Sequence, residues 1–223
     1  NMALAYNQAA DGEGKNVAVG SWAAYGATAT NTMTGSVAMG YASMYLTKGN
    51  NNVAIGYGSL DGAAPGTAYS NTAVGYQAMK SATTGYNNVA VGNMAGYGNT
   101  TSLGSVFIGA GAGYGATTSQ KSVVIGNNAG YALATQGGSV IIGFEAGRFQ
   151  SGGSGGNVAI GHQALYSGAN NYQDVAIGIN AGRKATGSGG SSVFLGRYAG
   201  PSTASTISSK LYIHNAEGTP LIG

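Results

Sequence analysis

The chain of 223 residues contains no cysteine, which excludes a disulfide scaffold, a thiolate zinc site and a cysteine nucleophile. Charged residues make up only 7% of the chain, whereas an ordinary domain carries roughly 25%. Three prolines are too few for a collagen helix, and no apolar run approaches the roughly 20 residues that span a bilayer. The hydrophobic fraction of 43% and the net charge of +3 argue against charge-driven disorder.

What the sequence does have is glycine, with 42 residues, and a short repeat that ends in glycine. The string Asn-Val-Ala-Ile-Gly at residues 157–161 has eleven clear copies with conservative substitutions, and residues 2–5 resemble a degenerate twelfth copy. The clear copies end about 17 residues apart, at Gly20, Gly40, Gly56, Gly75, Gly92, Gly109, Gly126, Gly143, Gly161, Gly178 and Gly196. We call these residues the corner glycines.

This repeat predicts an all-β fold. A unit of about 17 residues is too short for a pair of helices, but it suits one coil of a parallel β-solenoid, or β-roll. We therefore predict about 12 coils over residues 1–200. Residues 201–223 are predicted to leave the roll as a linker and the start of a C-terminal β module. Because Asn1 lies inside a repeat, we expect the chain to be part of a longer fibre.

Side chains alternate along a strand, so the residues one and three before each corner glycine share a face. Both positions are rich in Val and Ile, and we predict that they fill the coil interior. The residue two before the glycine lies on the other face, which is also apolar, and a strand that is apolar on both faces is buried on both. We predict that this second face is the interface of an elongated homo-oligomer, formed by Ala18, Ala38, Ala54, Ala73, Ala90, Phe107, Val124, Ile141, Ala159, Ala176 and Phe194.

Several strings carry a resemblance to known families. NVAIGYGSL (52–60), NTAVGYQAM (71–79) and NVAIGHQAL (157–165) resemble repeats of phage tail-fibre proteins and of bacterial "tail fiber domain" proteins. SVFLGRYAG (192–200) followed by KLYIHNAEGTPLIG (210–223) is similar to the segment that ends such arrays before a C-terminal chaperone domain. The repeat also resembles the head repeat of trimeric autotransporter adhesins, which form a left-handed parallel β-roll trimer.

The resemblance implies a homotrimer and a non-catalytic role in attachment. The first hypothesis is a structural and receptor-binding segment of a phage or phage-like tail fibre, carried on the virion, with a host-surface glycan or protein as its partner. The alternative is the head of a bacterial surface adhesin at the cell surface. A fibre-borne glycan hydrolase is the least favoured. Nine scattered basic residues predict neither nucleic-acid binding nor membrane insertion.

The tyrosines allow two interpretations. They stack as ladders along the coils, or some of them face outward and bind the receptor, since Tyr offers contact area at low entropy cost. The receptor-binding candidates lie in irregular stretches and include three basic companions: Trp22, Tyr45, Tyr69, Tyr86, Phe149, Tyr166, Tyr172, Arg148, Arg183 and Lys184.

No residue pattern predicts catalysis, a cofactor or a metal. A glycosidase needs two carboxylates at a set distance, and Asp11 and Glu13 fit a solvated turn better than such a pair. Glu145 and Asp174 are about two coils apart. His162 and His214 are isolated in sequence, and three symmetry copies of His162 around an axis are an unfavoured ion site.

Overall fold

A computed structural model describes residues 15–25, 33–62, 66–134, 137–150, 155–167, 171–186 and 190–215. The chain forms a parallel β-solenoid of about ten turns, with no helix among those residues. The strands are β1 (Val17–Val19), β2 (Val37–Met39), β3 (Thr47–Lys48), β4 (Val53–Ile55), β5 (Gly66–Thr67), β6 (Thr72–Val74), β7 (Val89–Val91), β8 (Val106–Ile108), β9 (Val123–Ile125), β10 (Val140–Ile142), β11 (Val158–Ile160), β12 (Val175–Ile177), β13 (Val193–Leu195) and β14 (Leu211–Ile213).

Twelve strands stack in one parallel sheet, in the order β1-β2-β4-β6-β7-β8-β9-β10-β11-β12-β13-β14. Each clear copy of the repeat supplies one strand, and equivalent residues pair directly, as Val140 does with Val158. The remaining strands, β3 and β5, form a small parallel sheet on another side. The predicted parallel solenoid with a period near 17 residues is therefore confirmed, while residues 2–5 lie outside the described residues.

The predicted end of the roll is wrong for the part of the tail that is described. Strand β14 pairs in parallel with β13, so residues 211–213 add a further coil instead of leaving the solenoid. Leu211 and Ile213 take the places of the repeat's Val and Ile, and His214 takes the place of the corner glycine. A coil can continue here because the pairing needs only an extended backbone in register. The return strand expected near the C-terminus lies outside the described residues.

The assignment of the two strand faces is also wrong. The predicted interface residues are fully buried inside the single chain, apart from the partly buried Ala18: Ala38, Ala54, Ala73, Ala90, Phe107, Val124, Ile141, Ala159, Ala176 and Phe194. The Val and Ile positions point outward instead, and Val17 and Val19 are 50% and 53% exposed. We call the residues two before the corner glycines the inner column. Those one and three before it are the outer columns, and together they form the outer face.

The reason is the space available inside each coil. The turn after the corner glycine also sends side chains inward, at the positions three and four after it. The first is a small buried residue such as Ala164. The second is large in four coils, as in Leu165, and glycine in six. With the interior filled from the turn, the strand has room for only a small inward residue in most coils. Outward-pointing Val and Ile are the consequence.

Core volume is shared between the strand and the turn of neighbouring coils. Where the inner column has alanine, as at Ala159, the turn can supply a large residue such as Leu165. Where the inner column has Phe107, the turn has Gly113, and a Cβ at Gly113 would overlap the phenyl ring. Phe107 also reaches back toward Gly96, where an added Cβ would lie 3.1 Å from the ring. Each bulky inward side chain therefore depends on a glycine beside it.

A buried polar ladder precedes the strands, four residues before each corner glycine. Its side-chain oxygens accept a hydrogen bond from the backbone N–H of the equivalent residue in the next coil, as between Asn52 Oδ1 and Asn71 N (2.9 Å). The distance is again 2.9 Å between Asn88 Oδ1 and Ser105 N. The members are Asn16, Ser36, Asn52, Asn71, Asn88, Ser105, Ser122, Ser139, Asn157, Asp174 and Ser192. These bonds satisfy amide groups that would otherwise be buried without a partner.

Asp174 is the only acid in this ladder, and its side chain is 2% exposed. Burial raises the pKa of its carboxyl group, and the hydrogen bond from the Ser192 backbone N–H acts in the opposite direction. A raised folded-state pKa means that the folded chain holds the proton more tightly than the unfolded chain does. The contribution of Asp174 to the free energy of unfolding is then greatest below the ordinary pKa of about 3.9. It falls as the pH rises through the folded-state pKa.

We expect Asp174→Asn to stabilise the fold at neutral pH by about 1 kcal/mol, because an amide fills the same place without a buried charge. The gain should disappear at acidic pH, where the native carboxyl is protonated. Unfolding midpoints measured at about pH 3 and pH 7 test this. The converse variant, Asn157→Asp, should introduce a loss at neutral pH. Equal midpoints for Asp174→Asn and the native chain at both pH values would contradict the prediction.

Candidate binding surfaces

Stacked aromatic rings run along the outside of the coils. Tyr97, Tyr114 and Tyr131 stack with ring centroids 4.9 and 4.8 Å apart, close to the spacing of stacked strands. All three lie five residues after a corner glycine. The Arg148 guanidinium, in the next coil of the same column, lies 5.8 Å from the Tyr131 ring centroid. For these residues the structural interpretation of the tyrosines, as a ladder along the coils, is confirmed.

The proposed receptor-binding residues divide into three groups rather than one site. One group lies in the column five residues after the corner glycine or just beside it: Phe149, Tyr166, Arg148 and Arg183. Phe149 and Tyr166 meet edge to face at 5.2 Å, and Arg183 lies over Tyr166 at 5.4 Å. These cation–π contacts join neighbouring coils, so they hold the ladder together. Lys184, next to Arg183, donates a hydrogen bond to the Ser202 carbonyl (2.6 Å).

A second group, Tyr69, Tyr86 and Tyr172, occupies a different column, six residues before the corner glycine. Tyr69 and Tyr86 pair through a parallel backbone bridge, whereas Tyr172 is several coils further along. All three are exposed, at 43%, 44% and 39% of the side chain. They form a discontinuous aromatic strip, away from the pocket described next.

The third group, Trp22 and Tyr45, borders a cavity of about 420 Å³ that we call the aromatic pocket. Its lining comes from four successive coils: Trp22, Tyr41, Ala42, Tyr45, Tyr57, Gly58, Asp61, Gln77 and Lys80. Of these residues, only Trp22 and Tyr45 are predicted from the sequence as binding residues. The sequence nevertheless carries a sign of the pocket. In the column two residues after the corner glycines, the two residues between Trp22 and Gln77 are small, Ala42 and Gly58. Ligand pockets commonly fall within this size range.

The acids and the histidine that the sequence singles out lie in separate places among the described residues. Glu145 forms an ion pair with Arg148 and accepts a hydrogen bond from Gln163 Nε2 (2.8 Å). The Glu145 carboxylate is thereby engaged by Arg148 and Gln163. Asp174 lies elsewhere, in the buried polar ladder. His162 stacks on Phe144 with ring centroids 5.2 Å apart. The described part of the chain holds no group of three or more His, Asp or Glu residues placed to bind a metal ion, and Asp11 and Glu13 lie outside it.

The outer face gathers many of the exposed apolar side chains of the described residues. Its outer columns contain 24 residues over twelve strands, all of them apolar except Thr72. The column directly after the corner glycines borders it with further exposed apolar side chains, including Tyr41, Tyr57 and Tyr76, whose rings stack at 5.1 and 5.5 Å. Of the 17 large apolar side chains exposed in the described residues, 13 lie in these three columns.

Two further findings bear on function. Within the described ranges, no helix is long and apolar enough to cross a membrane. Comparison with protein-family models, with curated proteins and with solved structures finds no match to this chain.

Proposed function

We propose that the chain is a structural and receptor-binding segment of a homotrimeric fibre, which attaches a phage or phage-like particle to the surface of its host. No chemical reaction is part of this proposal. The observation that carries it is the outer face, a continuous uncharged surface along a rigid rod. The number three and the particle come from the resemblance of the repeat, and the outer face supports self-association.

The size of the outer face favours a partner that covers its whole length. Twelve strands about 4.8 Å apart give a length of about 50 Å, and three residues per strand give a width of about 10 Å. These dimensions give an apolar area of about 500 Å², toward the upper end of the roughly 300–600 Å² of the largest patch on a typical monomer.

A second copy of the chain is the occupant that suits this surface. The face repeats at every coil, and another copy presents the same apolar columns at the same spacing. A self-complementary patch closes naturally into a symmetric oligomer. The absence of charge from both outer columns argues against a charged partner such as nucleic acid or an anionic membrane surface. The exposed tyrosines and the aromatic pocket lie outside the outer columns, so they stay available for a receptor.

The test of self-association is the mass of the purified chain by light scattering at micromolar concentration. We expect a trimer for the native sequence. We expect Ile108→Lys to reduce the mass to that of one chain, because it places a charge in the middle of the outer face. Gln120→Lys is the matched control, since residue 120 is exposed but lies in another column. A native monomer, or a charge at residue 108 that leaves the mass unchanged, would overturn this assignment.

The attachment role is tested separately by adsorption to host cells. The native oligomer should bind to susceptible cells and should compete with the intact particle for them. A bacterial surface adhesin remains the second candidate function, favoured by the same repeat. Binding to host tissue matrix without competition against any particle would favour the adhesin, and release of reducing ends from host polysaccharide would favour a hydrolase.

A further inference from the structure

The aromatic pocket exists because the column two residues after the corner glycines changes size. All of its residues adopt a left-handed backbone, with φ of +60° at Trp22, +52° at Ala42, +58° at Gly58 and +51° at Gln77. Trp22 and Gln77 are large, whereas the two coils between them contribute only a methyl group and a hydrogen atom. The pocket is therefore a hole two coils long in this column, with Trp22 and Gln77 at its ends.

Aromatic rings form both long walls of the hole. Tyr41 and Tyr57 stand on one side, with half of each side chain exposed (48% and 50%). Tyr45 stands on the other side and is held by neighbouring rings, since it stacks on Tyr25 at 5.3 Å. Trp22 meets Tyr25 edge to face at 4.9 Å. Each of these rings packs on another ring, which restricts its rotamers before any ligand arrives and reduces the entropy cost of binding.

Polar groups of mixed charge complete the lining. Asp61, Lys80 and Gln77 supply a carboxylate, an ammonium group and an amide. Burial raises the pKa of Asp61, and the charge of Lys80 lowers it by a smaller amount. The lining is thus neutral in sum, and it offers both donors and acceptors of hydrogen bonds beside flat apolar rings.

We propose that the aromatic pocket binds a neutral saccharide, one or two pyranose units of a host-surface polymer, between its tyrosine walls. The inference rests on the proposed attachment function and names the class of ligand. A pyranose ring has apolar C–H faces that pack on aromatic rings, and a rim of hydroxyl groups that both donate and accept hydrogen bonds. The balanced charge of Asp61 and Lys80 disfavours an acidic ligand such as a phosphopeptide.

The chain offers a built-in reporter for this site, because Trp22 is its only tryptophan. The experiment titrates the full native chain with maltose, lactose, cellobiose, chitobiose and oligosaccharides released from the host-surface polymer, and follows tryptophan fluorescence. We expect a saturable change with at least one of these sugars. Tyr45→Ala should weaken the affinity for that sugar about tenfold.

Gly58→Gln is the decisive variant, because it fills the hole at the cost of only the left-handed backbone strain that the other side chains of this column already bear. Gln77 already occupies the same column at a similar φ, and a Cβ at residue 58 would have only an ordinary contact of 3.6 Å with Gln77 Cγ. Met94→Gln places the same side chain in the same column outside the pocket and is the matched control. We expect saturable binding to be lost in Gly58→Gln and kept in Met94→Gln, with equal oligomeric mass. The left-handed strain should lower the unfolding midpoint of Gly58→Gln somewhat, so the titration is run well below that midpoint.

The outcomes separate this inference from the proposed function. If no sugar produces a saturable change, or if Gly58→Gln binds as the native chain does, the saccharide site is overturned. Adsorption to host cells that survives Gly58→Gln would also overturn the pocket as the receptor site, while leaving the attachment function intact. Absence of adsorption by the native oligomer, together with saturable sugar binding, would overturn the attachment function and keep the site.

Discussion

Gly92→Ala is expected to destabilise the solenoid by about 3–5 kcal/mol, or to prevent its folding. Gly92 is a corner glycine with φ +135°, a conformation that side chains with a Cβ rarely adopt. A Cβ there would also lie 2.7 Å from the carbonyl carbon and oxygen of Gly109 in the next coil. Backbone atoms held in a stacked sheet cannot move aside. Circular dichroism during thermal or guanidinium unfolding, at matched protein concentration, measures the loss.

Gly104→Ala is the control that separates strain from collision. Gly104 also has a positive φ, +61°, but a Cβ added there would meet nothing within 4 Å. The cost should therefore be the conformational strain alone, about 1–2 kcal/mol. Equal losses for Gly92→Ala and Gly104→Ala would show that contact between stacked corner glycines is unimportant.

Phe107→Ala is expected to cost about 3–5 kcal/mol, because the ring is fully buried and fills space above two glycines. Neither Gly96 nor Gly113 has a side chain that could collapse into the cavity. The measurement is again the free energy of unfolding by denaturant. A loss below about 1 kcal/mol would mean that the coils close around the missing ring.

The double variant Phe107→Ala/Gly113→Leu tests the sharing of core volume directly. It recreates the arrangement of Ala159 and Leu165, where the leucine sits in the turn with φ +49°. We expect it to recover about 1–2 kcal/mol of the loss, with the left-handed strain at residue 113 limiting the gain. Gly113→Leu alone should be strongly destabilising, because the side chain collides with Phe107. A double variant less stable than Phe107→Ala would contradict shared volume.

Repetition made the architecture predictable from sequence. The corner glycines mark the same place in every coil, and their spacing leads to a parallel solenoid before any contact is known. The side-chain alternation around Ala159, between Val158 and Ile160, was also read correctly. The alternation does not identify which face of the strand points into the coil, because both faces are apolar.

Side-chain volume in the core decides which face of the strand points inward. Part of that volume comes from the turn of the repeat, which is not a strand. Leu165 and Ala164 enter the core from the turn, with backbone conformations that no hydrophobic pattern reveals. The inner column is small for that reason. The alanines of the predicted interface pack instead in the core of their own chain, beside the turn.

The polar ladder and the pocket were missed for different reasons. The restriction of one position to Asn, Ser and Asp, as at Asn88 and Asp174, was visible, but its meaning depends on a bond to the next coil. The pocket depends on Ala42 and Gly58 being small at one point of a column whose other members are mostly larger. Small residues in a glycine-rich chain carry little signal until the column is known.

The polar ladder has a mechanical consequence for a fibre. Its bonds and those of the sheet point from one coil to the next, so a pull between the two ends loads every coil boundary with the same force. The coil boundaries then bear the load in series, and the weakest boundary sets the tension at which the rod unfolds. We expect tearing to begin at boundaries held by the longer bonds to serine oxygen, such as Ser105 Oγ to Ser122 N (3.3 Å) and Ser122 Oγ to Ser139 N (3.4 Å).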